Sequence, residues 1–538
     1  MTHSLKNGLK LLPHQEKVLM WMTNRARDRR ISGGIISLEL GLGKTLCASE
    51  WILNNCTKTA LIICSRTLVY EWIAHFEKFY EQSEVQYIVY HKDYMAGDRM
   101  ECINSEFLEN YKFVLTTYDV IMSIDRKGKY SESQEVLNAN RTVAGYKCSQ
   151  DTPEYIWKEL TGPRLIATFP WDSIVADESA RFSNPKTATY KSIMALYGKT
   201  KWCLTGIPIK NSCTDLYSQL RFCGYDEIYS KNFKLSTYRR ENLDRCVIRL
   251  DYEGAGIPKP VVEIHQVNLE LTGREKEIYN HYLEAAKNAY NGYVAGVRAF
   301  VFVLVMFLRL RQVAICPYTA LAESARKSGK LDPEYVEAQK TIDKNTKGLS
   351  GWIRDVEGTS GKKSAKVTKA VEIIKTVVEK GEKILVFSMF KRVNDIIMLV
   401  LDDNGMKDSY DFIDGDVTGD ERSDALNGFK TNDEKKVLFM TFKTGSEGLN
   451  ITIANNVLLL DSWWNNALIN QGIGRTARIG QTKVVHVYKL TTENTIEQRM
   501  NMMCQDKDDI VASFLDSGGS VKSKNGGINA RMLGQILY

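Results

Sequence analysis

The stretch from Gly34 to Leu53, GIISLELGLGKTLCASEWIL, joins an apolar run to a glycine-punctuated turn and then to a segment with helical spacing. Gly41 and Gly43 can take backbone angles closed to other residues, so the amides of the turn can point inward. A helix starting near Lys44 aims its own N-terminal amides at the same spot, and that combination suits a phosphate. Lys44 has the reach to touch a β- or γ-phosphate, and the Thr45 hydroxyl is a ligand for Mg2+. The full phosphate-loop pattern has a glycine about five residues before Gly43. Leu38 stands there, so the match is to the shorter Gly-x-Gly-Lys-Thr form. A strand–helix turn with an incidental lysine is the plain alternative.

A phosphate loop needs an acid for its metal. Ser173 to Pro185 reads SIVADESARFSNP, an apolar strand that delivers Asp177 and Glu178 to a loop. Parallel α/β sheets place ligands at that end of their strands. Asp177 would hold Mg2+ through water, and Glu178 would polarise the attacking water. Acids capping a strand are common, and this pair gains meaning from the phosphate loop in the same sheet.

Short β-rich runs separated by helix-length segments signal parallel α/β sheets. In the first half they are GIISLEL, ALIIC, FVLTTY, SIVAD and WCLT; in the last third they are KILVFS, DFID, KVLFMT, NVLLLD and VVHVYKL. Two sets imply two α/β lobes. Between them, LTGREKEIYNHYLEAAKNAYNGYVAGVRAFVFVLVMFLRLRQVAICP has a helical texture stopped by Pro317, and the polar stretch from Glu323 to Trp352 follows. This middle part is either a helical linker or an insertion projecting from the lobes. DSGGSVKSKNGGINARM, near the C-terminus, is rich in Gly, Ser and Asn and is expected to be a mobile tail.

The bulk composition is that of a globular protein: 538 residues, 43% hydrophobic and 25% charged, long enough for several domains. Lys plus Arg number 72 against 65 acids, a net charge of +7 that permits nucleic-acid binding without demonstrating it. The 11 cysteines are scattered with no Cys-x-x-Cys, which argues for reduced intracellular thiols and against both a disulfide framework and a zinc site among them. The N-terminus has no long apolar core, so a secreted protein is not expected. The most hydrophobic run, Ala299 to Leu308, has 10 residues between Arg298 and Arg309. A membrane span needs roughly 20, so no membrane association is expected.

Further strings fall into one pattern. LLPHQ (Leu11–Gln15) precedes the phosphate loop, and LIICSRTLVYEWIAHFEKF (Leu61–Phe79) follows it. VLTTYDVI comes before the acids and LTGIPIKNS after them. KILVFSMF, TFKTGSEGLNIT, DSWWNNA and QGIGRTARIGQ come later. Together these resemble the superfamily 2 helicase-like ATPases, and more closely the Swi/Snf-type double-stranded DNA translocases, which include chromatin remodellers and viral and bacterial relatives. The motifs run in family order from about Leu11 to Gln498.

The resemblance implies an α/β fold of two RecA-like parallel-sheet lobes with helical insertions between or projecting from them. It places an N-terminal ATPase lobe at 1–256 with a helical extension near 211–250, a linker and helical insertion at 257–364, a C-terminal helicase lobe at 365–515 and a flexible tail at 516–538. Gln15 corresponds to the adenine-sensing glutamine. Gly41, Leu42, Gly43, Lys44 and Thr45 form the phosphate loop, and Asp177 and Glu178 the hydrolysis box. Thr205 and Gly206 match the motif that couples nucleotide state to lobe movement. Gly448 and Asn450 lie in the fifth motif, and Gln471, Arg475 and Arg478 in the sixth, with both arginines as finger candidates. Three residues apart, they would share one face of a helix.

Candidates for a backbone-tracking nucleic-acid surface are Arg66, Thr67, Thr116, Thr117, Tyr118, Ser388, Met389, Lys443 and Trp464. Each taken alone has an ordinary structural alternative: Thr116 can simply end a strand, and Trp464 can fill core. The implied cofactors are ATP and Mg2+, and the implied partner is double-stranded DNA. The chain is expected to be a monomer, with protein partners setting its biological role in the nucleus, the cytoplasm or a viral replication site. An RNA-stimulated ATPase and a non-hydrolysing DNA-binding scaffold stay open as alternatives.

The chain departs from the family in three places. Ala180 stands where the hydrolysis box usually ends in His, which puts coupling to neighbouring motifs in doubt. Ile207 replaces a threonine, and LLPHQ lacks the usual arginine before proline.

Overall fold

Runs such as Ile35–Leu38, Leu61–Cys64 and Leu385–Phe387 are too uniformly apolar for a strand with a wet face, and each lies in a parallel sheet covered on both sides. The structure is a computed structural model. It describes residues 5–28, 33–95, 97–126, 162–209, 213–225, 245–317, 319, 364–415, 417, 419–445, 451–462, 466–503 and 530–538. The chain divides into two units, the first covering Met1–Lys259 and the second Pro260–Ile510 with Gly527–Tyr538.

The first unit holds a seven-stranded parallel sheet. Its strands are β1 (Gly33–Leu38), β2 (Ala60–Cys64), β3 (Tyr87–Tyr90), β4 (Phe113–Thr117), β5 (Trp171–Asp177), β6 (Gly198–Thr205) and β7 (Val247–Leu250). Their spatial order is β3-β4-β2-β5-β6-β1-β7. Successive residues of one strand feed opposite cores. Ile35, Leu61 and Val114 join one apolar cluster, while Ile36, Ile62 and Leu115 join the other. On the second face Trp51 meets Trp202 edge to face at 5.0 Å. Burying side chains of this size stabilises a fold by roughly 1.5–3 kcal/mol each.

The second unit holds a six-stranded parallel sheet, order β10-β11-β9-β12-β13-β8. Its strands are β8 (Val262–Leu269), β9 (Ile384–Ser388), β10 (Tyr410–Ile413), β11 (Val437–Thr441), β12 (Asn456–Leu459) and β13 (Val485–Thr492). Here too Ile384 and Val386 face one core, and Leu385 and Phe387 the other. A third cluster is helical. It joins the helices Gly273–Val294 and Phe300–Ile315 to the C-terminal helix Ala530–Leu537.

Three strands escape the sequence reading: β3, β7 and β8. All three are edge strands. β3 (YIVY) and β7 (VIRL) have only four residues each, too short for a clear periodic signal, while β8 mixes polar with apolar residues. β8, VEIHQVNL, is exposed at four consecutive positions. The helical stretch is two helices, because Gly296 sits at φ 73° between them. The expected mobile tail is partly wrong. Residues 516–529 lie outside the described residues, but Ala530–Leu537 is a helix whose Leu533, Ile536 and Leu537 are wholly buried. Arg499 donates to the Ile536 carbonyl at 2.9 Å, and Tyr538 to Asn291 Oδ1 at 2.9 Å. The Gly- and Ser-rich composition ends before Met532, where apolar residues begin to recur at helical spacing. Among the described residues no helix is long and apolar enough to cross a membrane. The polar stretch from Glu323 to Trp352 is outside them.

Candidate nucleotide site

β1 ends at Leu38, and the chain turns through Gly41 at φ 93° and Gly43 at φ 87°. Both angles lie in the left-handed region that glycine tolerates. Gly43 caps the helix Lys44–Asn55, and the buried Leu42 anchors the loop in the core. A Cβ at position 43 would come within 2.5 Å of Gln15 Nε2, so the turn is packed against that side chain. Gln15, on the helix Pro13–Ala26, is buried; its Oε1 accepts from Leu12 N at 2.9 Å and its Nε2 donates to Leu42 O at 3.5 Å. The Lys44 ammonium donates to Leu38 O at 2.9 Å, folding the side chain back across the loop.

β5 carries Asp177 to the same edge of the sheet. Asp177 pairs in register with Leu204 of β6, and Thr205 of β6 pairs with Ser37 of β1. The C-terminal ends of the three strands therefore line up. Asp177 is buried and accepts from Trp72 Nε1 at 3.0 Å and from the Glu178 amide at 2.9 Å. Burial, then the charge of Glu178, pushes its carboxyl up to about 6, while Trp72 and Lys44 pull the other way. Trp72, on the helix Arg66–Phe79, was not a sequence candidate. A buried indole needs an acceptor for its N–H, but nothing in the sequence says which one. Glu178 sits at φ 49°, ψ 49°, a left-handed conformation that stores strain in a residue with a Cβ.

The next residues form a short 3-10 turn, Ser179–Phe182, in which Ala180 is buried. Ser179 donates to Leu204 O at 3.3 Å and to Gln219 Oε1 at 2.6 Å. Gln219, on the helix Cys213–Phe222, donates in turn to Pro208 O at 2.7 Å and to Asp215 O at 2.9 Å. This chain ties the acidic loop to the Thr205–Pro208 turn without any group from position 180. Within that turn Thr205 Oγ1 accepts from Ile207 N at 3.1 Å.

The expected nucleic-acid residues of the first unit divide in two. Arg66 keeps 57% of its side chain exposed and pairs with Asp93. Thr67 is mostly buried at the start of its helix. Thr116 is wholly buried and donates to Tyr90 O at 3.0 Å. Thr117 accepts from Val120 N at 3.2 Å. Tyr118 is buried and donates to the Asp177 carbonyl at 2.7 Å. The side chains of Thr116, Thr117 and Tyr118 are all buried and present no surface to a nucleic acid, which corrects their expected role.

In the second unit, Ser388 is wholly buried and donates to Asp461 Oδ2 at 2.7 Å, which also accepts from the Met389 amide at 2.8 Å. Ser388 too lacks an exposed surface. Burial pushes the Asp461 carboxyl up to about 6 against the pull of Arg311. Gln471 is buried on the helix Asn466–Ile473. The expectation that Arg475 and Arg478 share a helical face is wrong, because that helix stops at Ile473. The Arg475 carbonyl accepts from Ile451 N at 3.0 Å, so the local backbone bonds outside the helix, and Gly472 and Gly474 weaken any continuation. Arg475 is buried, and Arg478 Nε donates to Gly474 O at 2.8 Å. Gly448, Asn450 and Trp464 lie outside the described residues, as does the Lys443 side chain.

The SNF2-related domain family matches residues 14–319, more than half of the 538 residues, and the helicase conserved C-terminal domain family matches residues 365–480. The chain belongs to the SNF2-related family. A protein of Invertebrate iridescent virus 6 named as a helicase, 172L, is 34% identical over 96% of this chain and 93% of its own length. The ISWI chromatin-remodeling complex ATPase ISW2 of Saccharomyces cerevisiae is 25% identical over 92% of this chain and 40% of its own length. The SWI2/SNF2 ATPase core of Sulfolobus solfataricus, solved in complex with dsDNA, is 22% identical over 100% of this chain and 98% of that one, with a TM-score of 0.37.

As a member of the SNF2-related family, the chain is an ATP hydrolase, of a class that works with ATP and a divalent metal. The donors near the phosphate loop fit a hard cation, since the Asp177 carboxylate and the Thr45 hydroxyl offer oxygen alone. A cation there would also offset the burial that disfavours the Asp177 anion.

Proposed function

We infer that this SNF2-related ATPase is a motor on double-stranded DNA, driven by Mg2+-dependent ATP hydrolysis. The observation that carries the nucleotide chemistry is the shared sheet edge of the first unit, where Gly41–Thr45 follow β1 and Asp177 ends β5. Membership of a family with relatives named for DNA repair and chromatin remodelling supports DNA as the track.

The amides of Gly41, Leu42 and Gly43 bind the phosphates, and Lys44 contacts the β- and γ-phosphates. Gln15 is the residue assigned to the adenine. Thr45 and Asp177 hold Mg2+, which neutralises charge on the phosphates when bound. Glu178 orients and polarises the attacking water. In the second unit, Gly448, Asn450 and Gln471 are assigned to nucleotide contacts, and Arg475 and Arg478 are the arginine-finger candidates for charge on the transferring phosphoryl group. Such fingers are worth roughly 10³–10⁵ in rate. Binding to DNA is mainly to phosphates, because a translocating motor must tolerate any sequence. Arg66, Thr67, Met389, Lys443 and Trp464 remain the residues assigned to it.

The test measures steady-state ATPase activity with duplex DNA, single-stranded DNA and RNA in parallel. Stimulation by duplex DNA is expected, together with its loss in Lys44→Ala. Stimulation by RNA alone, or full duplex-stimulated activity in Lys44→Ala, would overturn this reading.

A further inference from the structure

On the edge of the second unit's sheet, far in sequence from the phosphate loop, one trio of metal-capable side chains converges among the described residues: Glu263, His265 and His486. β8 and β13 run parallel, with Glu263 opposite His486 and His265 opposite Tyr488. Residues two apart on a strand share a face, so all four side chains stand on the same side of the ribbon. His265 Nε2 lies 3.2 Å from His486 Nδ1. His486 Nδ1 lies 3.3 Å from Glu263 Oε2, and His265 Nε2 lies 4.0 Å from the same oxygen. The Tyr488 ring stacks on His265 at 5.0 Å and 22°, which fixes the plane of that imidazole.

These three distances define a triangle of ligand atoms. The point equidistant from its corners lies about 2.1 Å from each, which is the bond length zinc makes to imidazole nitrogen and carboxylate oxygen. A proton cannot serve the same three atoms. If His486 Nδ1 carries hydrogen, it can direct that hydrogen well at either His265 or Glu263, and the third pair is left at 4.0 Å. One cation satisfies all three lone pairs together.

We propose that Glu263, His265 and His486 form a binding site for a divalent transition cation of the zinc class. The two-His, one-carboxylate donor set is borderline in softness and suits zinc; Mg2+ and Ca2+ prefer shells of oxygen. The side chains are 53%, 42% and 32% exposed, so a fourth position faces solvent and takes water. The ion bridges β8 to β13. β8 is an edge strand held in its sheet by β13 alone, and a metal across the pair fastens it. Binding then appears as added stability of the folded unit. The site is separate from the ATP and Mg2+ chemistry above and does not depend on it.

The test uses the full chain after dialysis against a chelator, with ZnCl2 as the probe. Zinc content is measured after equilibrium dialysis, and thermal unfolding is followed with and without zinc. His265→Ala, His486→Ala and Glu263→Gln are compared with His281→Ala, which removes an exposed histidine elsewhere. The expected result is one tightly held zinc per chain and a raised melting temperature in the parent and in His281→Ala. Affinity should fall by roughly 10- to 100-fold or more in each histidine variant. Circular dichroism of the metal-free variants should match the parent, because all three residues are at the surface. Co2+ added in place of zinc should show no thiolate charge-transfer band, which separates this site from the cysteines. Equal zinc content and equal thermal shift in the parent and in a His265→Ala, His486→Ala double variant would overturn the proposal. So would a thiolate band of equal strength in both.

Discussion

Ser179 Oγ donates a 2.6 Å hydrogen bond to Gln219 Oε1, and both residues are wholly buried. Gln219 passes the connection to the Pro208 carbonyl at 2.7 Å. The acidic loop and the Thr205–Pro208 turn are therefore joined through a serine and a glutamine, with no polar group from Ala180. Replacing Gln219 with Leu leaves the Pro208 carbonyl without this donor and the Ser179 hydroxyl with only its 3.3 Å contact to Leu204 O, a loss of about 1–3 kcal/mol in stability. DNA stimulation of ATPase should fall more than unstimulated turnover. An unchanged ratio of the two rates would show that the link is structural only.

Ala180→His should not improve coupling. Position 180 is 5% exposed, so an imidazole has to push its neighbours aside, at about 1–3 kcal/mol. The melting temperature should drop and the DNA stimulation ratio should stay level. A rise in that ratio would show that the histidine's role is still unfilled here.

Glu178 gives a sharper comparison between two variants that both lack its carboxylate. Its φ of 49° is strained for alanine and free for glycine. Glu178→Gly should be more stable than Glu178→Ala by about 1 kcal/mol, read from denaturant midpoints, although glycine normally destabilises. Hydrolysis should be lost in both. Equal stability would mean the strain is absent in solution.

The buried Asp177 carboxyl, pushed up to about 6, sets a pH dependence. Its folded pKa lies above the ordinary value of about 4, so the ligand-free fold prefers the neutral acid. The stability this contributes is complete below about pH 4 and is lost as pH rises through about 6. Bound Mg2+ favours the anion instead. Near pH 6, binding of Mg2+ and nucleotide should therefore release protons, and affinity should weaken on acidification. Calorimetric titration in two buffers of different ionisation enthalpy measures the release. Asp177→Asn should abolish it.

Lys366 and Glu497 form an ion pair at 2.5 Å with 2% and 3% of their side chains exposed, and Glu497 also accepts from Thr492 N at 2.9 Å. Lys366→Met removes one partner and leaves a buried carboxylate. A destabilisation of about 3–5 kcal/mol is expected in equilibrium unfolding. A Lys366→Met, Glu497→Leu double variant should recover much of it, since it buries no lone charge.

Everything carried by local pattern was legible along the chain. The central strands are dominated by apolar residues because both faces of a parallel sheet are covered, so β1, β2, β5, β9 and β11 could be read directly. The phosphate loop was legible because its glycines, lysine and threonine are adjacent in the chain. The edge strands β3, β7 and β8 were not, since the first two are only four residues long and exposure dilutes the pattern of the third. Only the tertiary structure decided the pairings across the chain: Trp72 with Asp177, Ser179 with Gln219, and Glu263 and His265 with His486. It also took Arg475 and Arg478 off the helix and turned Thr116, Tyr118 and Ser388 inward. Hydrogen bonds and burial depend on which elements pack together, and residue spacing along the chain does not encode that.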